Sequence, residues 1–191
     1  MKICIFPGTF NPIHVAHLKM AEFALKNYGF EKIIFIPSYL PPHKDINQNL
    51  AKHRFNMVKL AISKNPGFEI SDIEYRSEGK SYSLITVKKI IEQYGIKSRL
   101  DFIIGTDAFS KIETWYRADE LKALVHFIVF PRREEGEQYD FSQLKERGWD
   151  FEIAPFDYVD VSSTEIRDNS ACGRTDKKVE DYIKDNGLYK S

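Results

Sequence analysis

The sequence predicts an α/β domain built on a doubly wound parallel sheet with helices on both faces. Short apolar runs alternate along the chain with stretches in which apolar residues recur every three or four positions, as they do on one face of a helix. The runs are nearly continuous in apolar residues, which is typical of parallel strands covered on both sides. No repeat or linker interrupts the 191 residues, so we expect a single domain over residues 1–191.

The predicted elements alternate in a regular order. The runs predicted as strands are KICIF (2–6), KIIFIP (32–37), FEISDIEY (68–75), LDFIIG (100–105), VHFIVF (125–130) and FEIAPF (151–156). The segments predicted as helices are the stretch after His14 that stops at Gly29, residues 51–64, residues 83–94 before Gly95, a short helix at 117–123 and a helix from Ser162. Residues 38–50 are predicted as a loop because they contain adjacent prolines and no apolar period, and RREEGEQ (132–138) as the most mobile surface segment.

Charge and cysteine content exclude several function classes. The 28 Lys and Arg residues balance the 28 Asp and Glu residues, so any anion binding has to be local. Cys4 and Cys172 are too few for a disulfide framework and form no C-x-x-C pair. The opening MKICIF does not resemble a signal peptide, and no run approaches the roughly 18 apolar residues of a membrane span. We therefore expect a cytoplasmic protein that binds neither nucleic acid nor membrane.

Three polar clusters follow predicted strands. GTFNPIH (8–14) follows the first strand, GTD (105–107) follows LDFII, and VSSTEIR (161–167) follows the last. Doubly wound sheets bind ligands at the carboxyl ends of their strands, so these clusters form the candidate site. In the third cluster, Ser162 and Glu165 have the spacing of a capping box. This predicts a helix whose free N–H groups, together with Arg167, suit a phosphate group.

His14 and His17 lie three positions apart where the first helix is predicted to begin. At that spacing the two imidazoles share one helix face, and both can donate hydrogen bonds to phosphate oxygens. An attacking group that is itself a phosphate is already anionic, so such a reaction needs cations and donors rather than a general base. Alone, the pair would be interpreted as surface histidines. A zinc pair is disfavoured because no cysteine or glutamate cluster accompanies it, and we expect no metal ion held by the protein itself.

These motifs resemble a known family. GTFNPIHVAH is similar to the histidine motif of the nucleotidylyltransferases, and VSSTEIR to the serine, threonine and arginine motif of the same superfamily. PSYLPPHK, SYSLIT and FIIGTDAFSKIETW resemble, in order and spacing, segments of the bacterial nicotinate-nucleotide adenylyltransferases. The similarity extends over nearly the whole chain. It implies a Rossmann-like fold and a reaction in which ATP and nicotinate mononucleotide give deamido-NAD and pyrophosphate, with Mg²⁺, in NAD biosynthesis.

The resemblance also implies roles for individual residues. The residues expected to bind ATP are Gly8, Thr9, Phe10, His14, His17, Gly105, Asp107, Ser163, Thr164 and Arg167. The residues expected to bind the nicotinate substrate are Lys44, Thr86, Trp115 and Tyr116, with the Trp115 ring stacking on it. Within these sets, the catalytic residues would be His14, His17, Lys44 and Arg167. Preference for an acid over an amide would come from donors that an amide leaves unpaired.

Three positions depart from the family pattern. Ala16 stands where a glycine is usual between the histidines, and it leaves less room for a close backbone approach. Asn11 stands where an aspartate is common, which removes a charge near the phosphates. Ile85 replaces an aspartate before Thr86. The last change concerns only the substrate contacts around Thr86.

Other functions make different demands on the chain. A pantetheine-phosphate adenylyltransferase or a cytidylyltransferase would share both phosphate motifs but not PPHK with SYSLIT. A class I aminoacyl-tRNA synthetase would need tRNA-binding parts and a lysine loop that this sequence lacks. A nucleotide sensor without turnover would not need His14, His17 and Arg167 together, and a dehydrogenase would carry G-x-G-x-x-G after its first strand. The sequence leaves the oligomeric state open, a homo-oligomer included.

Overall fold

The predicted strands form one parallel sheet, seen in a computed structural model that describes residues 1–131, 139–157, 161–168 and 173–190. The strands are β1 (Ile3–Gly8), β2 (Lys32–Pro37), β3 (Phe68–Ile70), β4 (Leu100–Gly105), β5 (Val125–Phe130) and β6 (Phe151–Ile153). Their order in the sheet is β3-β2-β1-β4-β5-β6, and every neighbouring pair is parallel. The doubly wound sheet is therefore confirmed.

Helices cover the sheet between successive strands. In the described part of the chain they are α1 (Val15–Asn27), α2 (Ala51–Ile62), α3 (Ser83–Tyr94), α4 (Thr106–Phe109), α5 (Ala118–Leu124), α6 (Ser142–Glu146), α7 (Ser163–Arg167) and α8 (Lys177–Asp185). Gly95 ends α3 in the left-handed region, with φ of 62°. A side chain is strained in that conformation, so glycine favours a helix stop there.

Alternate residues of the four inner strands, β2, β1, β4 and β5, pack into two separate cores. In β1, Ile3 and Ile5 belong to the core beneath α3 and α5, whereas Cys4 and Phe6 belong to the core beneath α1, α2 and α8. Side chains of a strand alternate between the faces of the sheet, so burial on both faces requires an unbroken apolar run. This explains why the strand sequences show no polar alternation.

Two predicted strands are shorter than expected. FEISDIEY ends as a strand at Ile70, and FEIAPF ends at Ile153. After Ile70 the chain turns, because the carbonyl of Asp72 accepts hydrogen bonds from the amides of Tyr75 and Arg76 at 2.8 and 3.2 Å. Aspartate favours such turns, and that preference outweighs the apolar residues around it. The sequence patterns did not predict the short helices α4 and α6 or the C-terminal α8, and residues 132–138 lie outside the described residues.

The sheet opens where the strand order reverses. β1 pairs with β4 through Cys4 and Ile5, while the last three residues of β1 pair with β2. The carboxyl ends of β1 and β4 therefore stand apart at the point where α/β sheets bind ligands. No helix in the described ranges has both the length and the apolar character to cross a bilayer.

His126 links the two strands at the far edge of the sheet. Its Nδ1 lies 3.0 Å from Asp150 and its Nε2 lies 3.1 Å from Glu152, while Asp101 on β4 adds negative charge nearby. Partial burial lowers the pKa of His126, but the hydrogen bonds to the two carboxylates outweigh it, and the pKa is raised. The imidazole thus joins β5 to the segment around β6, and the two carboxylates favour its protonated form.

We expect His126→Gln to lower the free energy of unfolding at about pH 6 and to do so much less at about pH 9. The pKa is raised in the folded state, so the stabilisation is complete below the ordinary histidine pKa and is lost as the pH rises through the raised value. Urea unfolding at both pH values measures the difference. His43→Gln, at an exposed loop position, is the control, and an equal loss at both pH values for His126→Gln contradicts the expectation.

Candidate active site

A cleft of about 760 Å³ lies at the carboxyl ends of β1 and β4. It is bounded by the β1–α1 loop (residues 9–14), by part of the loop at 38–50 and by α7. The residues from the sequence predictions that line it are Gly8, Thr9, Phe10, His14, His17, Lys44, Gly105, Ser163, Thr164 and Arg167. The segments after the first and last strands thus meet at one cavity.

Gly8 and Phe10 shape the floor of the cleft. The Phe10 ring is buried against Phe6 and Phe35, and its backbone has φ of 48°. A β-carbon at Gly8 would lie 2.8 Å from the tip of that ring. Position 8 therefore requires glycine because the ring of Phe10 occupies the space that a side chain would fill.

The two histidines begin α1 and stack on each other. His14 is the N-cap residue, and the two ring centroids are 3.7 Å apart with planes 23° from parallel. His17 Nδ1 accepts a hydrogen bond from the His14 backbone N–H at 3.1 Å. Because Nδ1 is an acceptor, a neutral His17 carries its proton on Nε2. The ring is thereby fixed as an Nε2–H donor.

Helix α7 begins with the predicted capping box. The Ser162 hydroxyl accepts from the Glu165 amide at 3.2 Å, and the Glu165 carboxylate accepts from the Ser162 amide at 3.0 Å. Arg167 donates from one terminal nitrogen to the carbonyl of Asn11 at 2.8 Å and from the other to the Thr164 hydroxyl at 3.0 Å. Its guanidinium is therefore held in place at the cleft, with further N–H groups available to a ligand.

Further C-terminal contacts hold the β1–α1 loop. The Ser163 hydroxyl donates to the carbonyl of Pro12, and the Thr175 hydroxyl donates to the carbonyl of Ile13, both at 2.9 Å. Ala16 is buried against Val161 and Ile166. The alanine that replaces the usual glycine thus packs α1 onto the segment that contains α7.

Arg54 supports the cleft from below, and the sequence patterns did not single it out. Its side chain is fully buried, and it donates to the carbonyls of Thr9 and Ser38 at 2.7 Å each and of Tyr39 at 3.3 Å. Burial lowers the pKa of this guanidinium. Arg54 lies four positions before the buried Val58 on α2. That apolar period was a signal that this arginine points inward.

Thr86 lies outside the cleft lining, buried on α3. Its hydroxyl donates to the Glu74 carboxylate at 2.8 Å. Glu74 is itself only 6% exposed, and burial raises its pKa to about 7, although hydrogen bonds from Thr86, Ser81 and the Tyr39 backbone oppose the shift. The Glu74 carboxylate therefore fixes the orientation of the Thr86 hydroxyl.

The other predicted substrate residues also lie outside the cleft lining. Trp115 packs against the core beneath α3 and α5, with its ring 6.2 Å from that of Phe102. Tyr116 is 43% exposed and stacks on Tyr82 at 4.4 Å between ring centroids. Asp107, which was expected to bind ATP, also lies outside the cleft lining; it belongs to α4 and accepts a hydrogen bond from the Tyr139 hydroxyl at 2.8 Å.

The fold and the cleft define a class of protein. Residues 5–169 match the family model described as cytidylyltransferase-like. A nicotinic acid mononucleotide adenylyltransferase from Plasmodium falciparum, solved in complex with NaAD, superposes with a TM-score of 0.80 over 98% of this chain and 97% of that one. Its identity to this chain is 22%, so it supports the fold. The Rossmann-like fold is thus confirmed.

The relatives in sequence define the particular family. A probable nicotinate-nucleotide adenylyltransferase from Caldicellulosiruptor saccharolyticus is 40% identical over the full length of both chains. The nicotinate-nucleotide adenylyltransferase of Bacillus subtilis is 38% identical, over 100% of this chain and 99% of its own. The chain belongs to the cytidylyltransferase-like family and, within it, to the nicotinate-nucleotide adenylyltransferases.

We expect Gly8→Ala to lower the free energy of unfolding by roughly 1–3 kcal/mol, because the added methyl group must displace the buried Phe10 ring. Gly105→Ala is the matched control: it also lies at the end of a strand in the cleft, but its β-carbon would meet nothing within 4 Å. Chemical denaturation of both variants measures the difference. Equal stability of the two variants would show that Phe10 does not restrict position 8.

Proposed function

We propose that the chain transfers the adenylyl group of ATP to nicotinate mononucleotide at this cleft, releasing deamido-NAD and pyrophosphate. The family relationship supports the reaction. The observation that supports the place is the meeting of the β1–α1 loop with α7, since it brings two imidazoles and a guanidinium to one cavity at the switch in strand order. Such a group of donors suits a polyphosphate.

The chemistry needs little proton transfer. An oxygen of the acceptor phosphate attacks the α-phosphorus of ATP, and the bond from that phosphorus to the bridging oxygen of the pyrophosphate breaks. The attacking oxygen is already anionic, so the protein contributes orientation and donors for the charge that develops on the leaving group. Accordingly, the residues that line the cleft include the donors His14, His17 and Arg167.

His17 and Arg167 have the best-defined roles in this proposal. His17 presents Nε2–H because its Nδ1 is engaged by the His14 amide. Arg167 is oriented by the Asn11 carbonyl and the Thr164 hydroxyl. Both can then donate to phosphate oxygens without first being reoriented, which is the main source of electrostatic catalysis.

The remaining predicted residues divide between two subsites. For the ATP side we propose Gly8, Thr9, Phe10, His14, Gly105, Ser163 and Thr164, all of which line the cleft. Lys44 would add a cation from the loop at 38–50. For the acceptor we propose Thr86, Trp115 and Tyr116, with Asp107 between the subsites as an acceptor for ribose or water. Because these acceptor residues lie outside the cleft lining, the protein would have to close around its ligands to bring them to the cavity.

Mg²⁺ is proposed to enter with the nucleotide. Within the described ranges, no group of three or more His, Cys, Asp or Glu side chains could hold a metal ion. Mg²⁺ commonly keeps water ligands and binds substrate phosphates, so a cleft of phosphate donors fits an ion that arrives on ATP. When bound, the ion would neutralise charge on the departing pyrophosphate. A cytoplasmic location is part of the same proposal.

We expect pyrophosphate release when the protein is given Mg·ATP with nicotinate mononucleotide, and a much slower release with nicotinamide mononucleotide. The carboxylate of nicotinate can accept hydrogen bonds from donors of the protein. With nicotinamide, the same donors would face the N–H groups of the amide and stay unpaired. Coupled pyrophosphate detection measures both rates, with phosphopantetheine as a further acceptor and CTP as a further donor. Product from phosphopantetheine alone would contradict nicotinate mononucleotide as the substrate. Binding of ATP without release of pyrophosphate would indicate a nucleotide sensor.

We expect His17→Asn to lower kcat on the order of 100-fold or more with little change in the melting temperature. An asparagine oxygen can still accept from the His14 amide, so the helix start is retained while the Nε2–H donor is lost. His17→Gln, whose amide nitrogen reaches the Nε2 position, should keep more of the activity. A kcat for His17→Asn equal to that of the wild type would remove His17 from the mechanism.

A further inference from the structure

Asn11 lines the cleft, and both its backbone and its side chain are held by hydrogen bonds. Its backbone carbonyl accepts from Arg167 at 2.8 Å, and its side-chain Oδ1 accepts from the Tyr189 hydroxyl at 2.6 Å. Tyr189 lies just beyond α8, 178 positions along the chain. A residue next to the predicted ATP contacts is therefore oriented by the C-terminal turn.

The Tyr189 hydroxyl acts as a donor in this contact. Its ring packs against the core beneath α1, α2 and α8. Burial raises the pKa of Tyr189 above its ordinary value, although Arg54 and Arg167 lower it. The phenol thus stays protonated at neutral pH. In the structure the phenol donates to Oδ1, and this contact places the N–H groups at the other end of the Asn11 amide.

The nitrogen end of the Asn11 amide remains for a ligand. Of the residues that the structure describes, none accepts a hydrogen bond from Asn11 Nδ2. Asn11 lines the cleft together with His14 and Arg167. An amide nitrogen offers two N–H donors without a charge that needs a counter-ion, whereas a carboxylate at the same place would present a second anion to a phosphate.

We propose that Asn11 Nδ2 donates to a phosphate oxygen of the bound nucleotide, and that Tyr189 is the positioning residue that holds the amide in this orientation. The proposal rests on the proposed function for the identity of the nucleotide. The proposal gives a role to Asn11, which stands where the family commonly has an aspartate. The asparagine is a neutral donor, whereas an aspartate carboxylate would repel the phosphate. The proposal also brings the C-terminal turn into the binding site without direct contact to the ligand.

The experiment compares four single variants and one double variant by calorimetric titration with inorganic pyrophosphate and with Mg·ATP, and by steady-state kinetics. Asn11→Ala removes the donor, Asn11→Asp replaces it with an anion, and Tyr189→Phe removes the hydroxyl that orients it. Tyr182→Phe is the matched control on α8, because the Tyr182 hydroxyl bonds to His53 and Asn56 of α2 rather than to the β1–α1 loop. Melting temperatures are recorded for every variant.

We expect Asn11→Ala to weaken binding of both ligands roughly tenfold, Asn11→Asp to weaken it more, and Tyr189→Phe to weaken it less. The KM for ATP should rise in each case while the KM for the acceptor stays the same, a split that a merely structural loss would not produce. The double variant of Asn11→Ala with Tyr189→Phe should bind like Asn11→Ala alone, since both changes remove one interaction.

Three results would overturn the proposal: binding by Asn11→Ala that equals the wild type, Asn11→Asp that binds as well as Asn11→Ala, or a loss in Tyr182→Phe as large as in Tyr189→Phe. Pyrophosphate binding is measured without any acceptor. Failure of the wild type to turn over nicotinate mononucleotide would therefore refute the proposed function. The pyrophosphate titrations would still test the role of Asn11.

Discussion

The site depends on how the β1–α1 loop is held. Asn11, Pro12 and Ile13 would leave three consecutive carbonyls without partners in a partly buried turn, and each receives a hydrogen bond from a side chain near the end of the chain: Arg167, Ser163 and Thr175. Burying a carbonyl that has no hydrogen-bond partner costs free energy, so these bonds stabilise the observed loop conformation. The same bonds place Arg167 opposite the histidines. Loop geometry and ligand donors therefore arise from one set of contacts.

The two proposed subsites differ in the chemistry of their residues. Among apolar residues, the cleft lining contains the two stacked imidazoles and the donor side chains of Ser163, Thr164 and Arg167, in a protein whose charges balance overall. Attraction for a polyphosphate is thus local, created by geometry rather than by net charge. The proposed acceptor residues lie apart from this cleft: the Thr86–Glu74 hydrogen bond is buried, whereas Tyr116 is exposed and stacks on Tyr82. Stacked rings of this kind suit a flat heterocycle.

Much of this arrangement could be predicted from sequence, because strands buried on both faces and helices with one apolar face have distinct periods. The three polar clusters at strand ends were visible for the same reason, and the capping box at Ser162 follows from spacing alone. Contacts between distant residues were not visible. The apolar period of α2 indicates that Arg54 points inward, but its partners, Thr9 and Ser38, could not be identified from that period. The turn at Asp72 was missed because local hydrogen bonding outweighed an apolar pattern.

The order of the chain has a consequence for how the enzyme is made. The carbonyls of the β1–α1 loop and their partners lie 151 to 162 positions apart in the chain. Domains fold as units once enough of the chain has emerged. The cavity therefore takes its shape only once α7 and Thr175 have docked on the β1–α1 loop. Contacts of such long range are slow to form, because the entropy of loop closure has to be lost first.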